Sequence, residues 1–297
     1  MDKQAFAASR WTMGELNALL KNIGEENAKK IQRGEIFQIF FENNNTTELF
    51  DTTGRRITKN LLSQTTNTER HFCLSNPAVK NIEDYEYRLS LANIKDPCVT
   101  PEWFKHETER QIAMIAKDDS INNILKNIYL PIVCKIDSDN IDNIVRNGLE
   151  AVAKQYTDLF KNRIFCNYIK NCKENKITIA PDSRHFEFLG KAKQKYIVAI
   201  LFPRALQGFS VNASREQLLD LTYRFSLSGA EIINAIIMYP DILLSNWYAT
   251  GLTFAGINYK NDRFSLSIKA YENMAGIDAV SNVSAYNIYS PALTFSA

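Results

Sequence analysis

Residues Ile197–Phe202 read IVAILF, six consecutive apolar side chains closed by Pro203. A run of this length and composition reads as a strand, and because it does not alternate it requires cover on both faces. That excludes a sheet with one wet side at this point and demands helices or a second layer around it. The flanking sequence is of the opposite character. Arg184 and His185 precede the strand, and Gln207, Ser210, Asn212, Arg215, Glu216 and Gln217 follow it, with Gly208 available for a positive φ or a close backbone approach. Loops at strand ends are where sites are commonly built. The candidate ligand-binding residues are therefore Arg184, His185, Gln207, Ser210, Asn212, Arg215 and Glu216, together with Asp241 farther along.

Cover for the strand is visible elsewhere. Ile141, Val145, Leu149, Val152, Tyr156 and Leu159 recur at spacings of three and four, one apolar helical face. Residues 230–239 are apolar almost all round and predict a buried helix stopped by Pro240. Tyr129–Ile136 and Lys176–Ile179 read as further strands, with Pro131 placing the former at an edge or a bulge. Tyr85–Leu91 alternates and reads as an edge strand, and the segment from Pro101 reads as a helix that starts on proline. The last fifty residues predict antiparallel strands: Leu252–Tyr259, a strand with Phe264, Leu266, Ile268 and Ala270 inward and Ser265, Ser267 and Lys269 toward solvent, and a final strand within Ile288–Phe295.

At the front, Thr12 and Glu15 make a capping box ahead of Leu16, Leu19, Leu20 and Ile23, and a second short helix runs from Glu25 to Arg33. The pair suits docking to a partner protein; Lys29, Lys30 and Arg33 also admit DNA contact. Residues 58–84 are polar and aperiodic. The expected organisation is a small module over 1–57, a connector over 58–84 and a body over 85–297. The fold class is α+β: a small helical N-terminal module, then a mixed sheet covered by helices with a C-terminal antiparallel meander.

Composition narrows the function classes less than the pattern does. In 297 residues, 45% are hydrophobic, 23% are charged and the net charge is +2, which argues for no strongly charged partner. The five cysteines show no metal-ligand or disulfide spacing. No stretch has the length of a membrane span or the apolar core of a signal peptide, so a cytoplasmic protein without membrane contact is expected. His106 lies outside any HExxH, Asp137-Ser138-Asp139 lacks the rest of a calcium loop, and Gln207-Gly208-Phe209-Ser210-Val211 is not a nucleophile elbow. No cofactor or metal is implied. Tyr168 among Lys170, Lys173 and Lys176 offers an RNA contact or a solvated turn.

The segments WTMGELNALLKNIGEENAKKIQRGEI, LFDTTGRRI, RIFCNYIK, SRHFEFLGKAKQKYIVAILFP, LQGFSVNASREQL, MYPDILLSNW, SLSIKAYE and YSPALTF resemble an uncharacterised protein family common in candidate-phylum, small-genome bacteria. LQGFSVNASREQ is the most specific of them. The family has no assigned activity, so the resemblance implies segmentation and no catalytic roles. The chain departs from the family at Ser228-Gly229-Ala230-Glu231, where members carry a Gly-Gly or Gly-Leu-Asp step. The expected function is binding, with a protein or nucleic acid as partner. The alternative is a small-molecule enzyme, a hydrolase or transferase, in which His185, Ser210, Arg215, Glu216 and Asp241 converge in one cleft.

Overall fold

The computed structural model describes residues 48–58, 82–169 and 176–297. The helical pair and its partner role, most of the 58–84 connector, and Lys170 and Lys173 lie outside the described residues. In chain order the elements are α1 (Tyr85–Leu91), α2 (Pro101–Ala116), a 3-10 turn (Asn122–Lys126), β1 (Leu130–Cys134), α3 (Ile141–Leu159), β2 (Ile164–Asn167) and β3 (Ile177–Ile179). There follow α4 (His185–Gln194), β4 (Ile197–Phe202), α5 (Val211–Leu218), β5 (Phe225–Leu227), α6 (Glu231–Met238) and α7 (Pro240–Leu243). The remainder is β6 (Gly251–Thr253), β7 (Ile257–Tyr259), β8 (Phe264–Ala270), β9 (Met274–Ser281), β10 (Tyr289–Pro291) and β11 (Leu293–Phe295).

This is an α+β fold built on two sheets. The first, in the order β1-β4-β11-β5, is antiparallel throughout. The second, β10-β6-β8-β9-β2, is mixed: β6-β8-β9 form the antiparallel centre and β10 and β2 join its edges in parallel. β3 pairs with β7 apart from both, so the strand near 178 is not part of the main sheet.

β4 lies inside its sheet, and all its residues except Ile197 are buried. Its side chains divide between two apolar clusters. Ala199 and Leu201 join the core built with Val145, Leu149 and Val152 of α3 and Ile232 and Ile236 of α6. Ile200 and Phe202 face the other way, onto Phe50, Ile115, Phe225 and Phe295. The unbroken apolar run thus has the two-sided cover it requires. α3 starts on Asn140, whose side chain accepts from the Asp142 and Asn143 amides, and buries the stripe of Val145, Leu149, Val152 and Tyr156. Among the described residues no helix is long and apolar enough to cross a membrane.

Several local expectations are corrected. Tyr85–Leu91 is a helix, not a strand: Asp84 accepts from the Tyr87 amide, and the neighbours Arg88 and Leu89 are both buried, which a strand facing one core would not do. Leu252–Tyr259 is two strands in different sheets. The final strand is also two. Pro291 ends the pairing with β6, and after Ala292 the chain enters the first sheet between β4 and β5. The face of β8 expected to be wet is covered, with Ser265, Ser267 and Lys269 all buried. Residues 48–58 pack on the body. Phe50 is fully buried, the Leu49 amide donates to the Ser120 carbonyl at 2.8 Å, and the Arg56 amide donates to the Ala205 carbonyl at 2.8 Å.

Candidate functional site

The polar stretch after β4 does not stay a loop. Residues 203–208 turn, with Gly208 at φ 88°, and Ser210 then caps α5 by accepting from the Ala213 amide at 3.1 Å. Ser214 donates its hydroxyl back to the Ser210 carbonyl at 2.8 Å. Ser210 is fully buried by this work. Gln207 is also buried: its Oε1 accepts from Arg55 at 3.1 Å and its Nε2 donates to the Asn287 carbonyl at 2.7 Å. It joins three distant segments, a tie and not an open ligand group.

His185 sits at the start of α4 and is wholly enclosed. Its ring stacks on Phe188 at 5.8 Å between centroids. Gly229 and Gly256 make room for it: a Cβ on the first would lie 2.5 Å from Nε2, and one on the second 3.0 Å from Cγ. Nε2 accepts from the Ala230 amide at 3.2 Å, which assigns the proton of the neutral ring to Nδ1, 3.4 Å from Glu231 Oε2. Glu231 in turn accepts from the Gly229 amide at 2.9 Å and from the Thr294 hydroxyl at 2.7 Å, and Thr294 meets Ser228 at 2.7 Å. This buried network joins α4, α6, β11 and the residues after β5; His185 Nδ1 makes no hydrogen bond in it, and the enclosure gives a substrate no path to the ring. Burial holds the His185 imidazole below its ordinary pKa of 6.5, against the pull of Glu231 and Glu187. The unfolded chain therefore takes up a proton near 6.5 that the folded chain resists, so this histidine's contribution to stability is lost as pH falls from there. Urea unfolding at pH 7 and pH 5 should show a smaller loss for His185→Asn than for the wild type; equal losses would refute the assignment.

Asp241 is committed elsewhere. It caps no site but takes both ends of the buried Arg88 guanidinium, at 2.6 and 3.0 Å. The convergence that the enzyme alternative requires is thus not found: His185 and Ser210 are enclosed and Asp241 is paired with α1.

Four of the eight candidates do come together. Arg184, Asn212, Arg215 and Glu216 line an open groove of about 490 Å³, joined by Asp182 and Leu219. Arg184 adopts a left-handed backbone, φ 55°, and reaches across to donate to the Leu221 and Thr222 carbonyls at 2.9 and 2.8 Å. Arg215 donates to the Asn258 side chain at 2.8 Å and the Ala255 carbonyl at 3.2 Å, while its buried Nε has no acceptor. Burial lowers the pKa of both guanidiniums; at Arg215 the charges of Asp182 and Asp262 oppose the shift. Groups of both charge signs line one groove, with the two guanidiniums held by hydrogen bonds, and such an arrangement selects a partner by complementarity.

No family model, curated protein or solved structure matches the chain.

One lining residue of the groove and two residues close in sequence to lining residues are large apolar side chains in water. Leu219, which lines it, is 74% exposed; Phe186, two residues from Arg184, is 68% exposed; Tyr223, next to the Thr222 carbonyl that Arg184 holds, is 76% exposed. The sequence reading missed Asp182 and Leu219. Asp182 lies in the short turn Pro181–Ser183, and Leu219 reads as one more apolar helix position until α5 is seen to stop at Leu218. Among the described residues no three His, Cys, Asp or Glu side chains are grouped to hold a metal ion.

Proposed function

We propose that this is a binding protein whose partner is another protein, docked over the groove of Asp182, Arg184, Arg215 and Glu216. The observation that carries this reading is the exposure of Leu219 in the groove, together with the exposed Phe186 and Tyr223, which neighbour in sequence Arg184 and the Thr222 carbonyl it holds. Large apolar and aromatic side chains held in water beside arginine are the composition of an interface centre, whereas charge dominates a rim. The two carboxylates weigh against nucleic acid, since Asp182 and Glu216 would repel the phosphates that Arg184 and Arg215 attract. A partner segment offering a carboxylate to the arginines and an apolar side chain to Leu219 satisfies both halves of the surface.

The test places a photo-crosslinking amino acid at position 219 in cells, with one at the exposed Lys105 as control. The expected result is a discrete protein adduct from 219 alone. Its yield should fall at least about tenfold in the double variant Phe186→Asp, Tyr223→Asp, equivalent to about 1.4 kcal/mol of affinity. Both side chains are exposed, so the substitutions should leave stability within about 0.5 kcal/mol. No adduct, or the same adduct from position 105, overturns the reading, and an adduct with nucleic acid moves the partner to that class.

A further inference from the structure

The second sheet carries, on the face of Ser267 and Lys269, an open pocket unrelated to the groove. Its register puts Ser267 opposite Asp278, Lys269 opposite Gly276, Cys166 opposite Gly276 and Tyr289 opposite Gly251, so these side chains rise from one face. Two of these positions are glycine. At Gly251 a Cβ would strike the Tyr289 ring at 2.5 Å; at Gly276 it would lie 3.4 Å from the Tyr168 ring and fill the floor beneath it. The bare floor leaves a cavity of about 240 Å³ walled by the rings of Tyr168, Tyr271, Tyr286 and Tyr289, with Asp278 at its side. Tyr286 and Tyr289 stand edge to face, 6.0 Å apart and at 70°, and make a corner.

We propose that this tyrosine cavity binds a methylated ammonium group. Aromatic faces attract cations through their quadrupole, and the attraction is largest for a cation met without its water, as a quaternary ammonium can be. Asp278 is the charged side chain among the lining residues, and its sign selects a positive guest. The molecule already uses one of these rings in this way: the Lys269 ammonium lies 5.9 Å from the Tyr289 centroid, with the Trp247 carbonyl as acceptor at 3.5 Å. Burial pushes that amine down to about 8. Lys269 is not among the lining residues, so the guest meets Tyr168, Tyr271, Tyr286 and the Asp278 carboxylate, whose Oδ1 also accepts from the Ala279 amide at 2.7 Å. The cavity is smaller than the roughly 300–1,000 Å³ that encloses a drug-sized ligand, so it fits a headgroup with its chain leading out to water. Two sources carry such a headgroup: a free quaternary amine, or a methylated lysine side chain on another protein.

The experiment titrates the full chain, followed by amide and aromatic NMR shifts, with choline, with a trimethyl-lysine peptide, and with the neutral carbon analogue 3,3-dimethylbutanol. Saturable shifts at Tyr286 and Asp278 with a cation, and at least about tenfold weaker binding of the neutral analogue, are expected. Tyr286→Ala and Asp278→Asn should each weaken the cation about fivefold or more, and Tyr286→Phe should not, because the ring and not the hydroxyl is used. Both positions are exposed, and unchanged shift dispersion confirms that the variants fold. Choline binding as tightly as the peptide assigns a free amine; a clear preference for the peptide assigns the protein-borne group. Equal binding of the neutral analogue, no binding of either cation, or indifference to Tyr286→Ala overturns the proposal.

Discussion

Replacing Arg88 with alanine is expected to lower stability by about 3 kcal/mol. Arg88 is fully buried on the seven-residue helix α1, too short to hold itself together in water. Its guanidinium makes two bonds to Asp241 and a third to the Met238 carbonyl at 2.9 Å, and it lies 4.5 Å from the centroid of the Tyr239 ring. Removing one partner of a buried pair costs about 3–5 kcal/mol because the other is left without compensation. Asp241 is 35% exposed and regains water, which sets the expectation at the lower end. The loss comes with an emptied volume and a bare carbonyl at the end of α6. Arg88→Met keeps the volume and should recover part of it. Denaturant unfolding measures both: the midpoint should fall with little change in slope. A loss under about 1 kcal/mol would mean that α1 is not anchored through this side chain.

Phe50→Ala should cost about 3–5 kcal/mol, the range for emptying a buried aromatic site. Phe50 is fully buried, 6.4 Å from the Phe225 ring, and Phe225 in turn meets Phe202 and Phe295. The segment around it is bound at many points. Asn123 donates to the Phe50 carbonyl at 3.2 Å, and Arg56 pairs with Asp220 at 2.9 Å. Gly54 at φ 76° lets the turn approach Asn127, where a Cβ would come within 2.6 Å of the backbone. If 48–58 were the tail of a separate module lying loosely on the body, the substitution would cost little. A full-sized loss places these residues in the cooperative fold.

What the sequence could reveal follows from which forces act locally. Ile197–Phe202 and the stripe of α3 were legible because burial imposes a period or a run, and both survive in the string of letters. α1 was misread because Tyr85-Glu86-Tyr87-Arg88 alternates by accident. Its burial turns on Arg88, a residue whose apolar environment depends on Asp241 far along the chain. Ser267 and Lys269 read as wet for the same reason: the chain that covers them, around Trp247 and Tyr289, is remote in sequence. In the polar stretch the residue types were informative but their fates were not. Arg215 and Ser210 are five residues apart, and one lines the groove while the other is spent as a helix cap. Side-chain type alone cannot separate a hydrogen bond made to a ligand from one made to the backbone.

The placement of β11 bears on the order in which this chain can fold. Leu293–Phe295 lies between β4 and β5 and supplies the pairing partner of each. Until those residues dock, β4 and β5 each present an unpaired edge on an apolar strand. Contacts so distant in sequence form late and slowly. A chain in which Leu293–Phe295 is not yet docked therefore leaves an edge of its most apolar strand available to other chains.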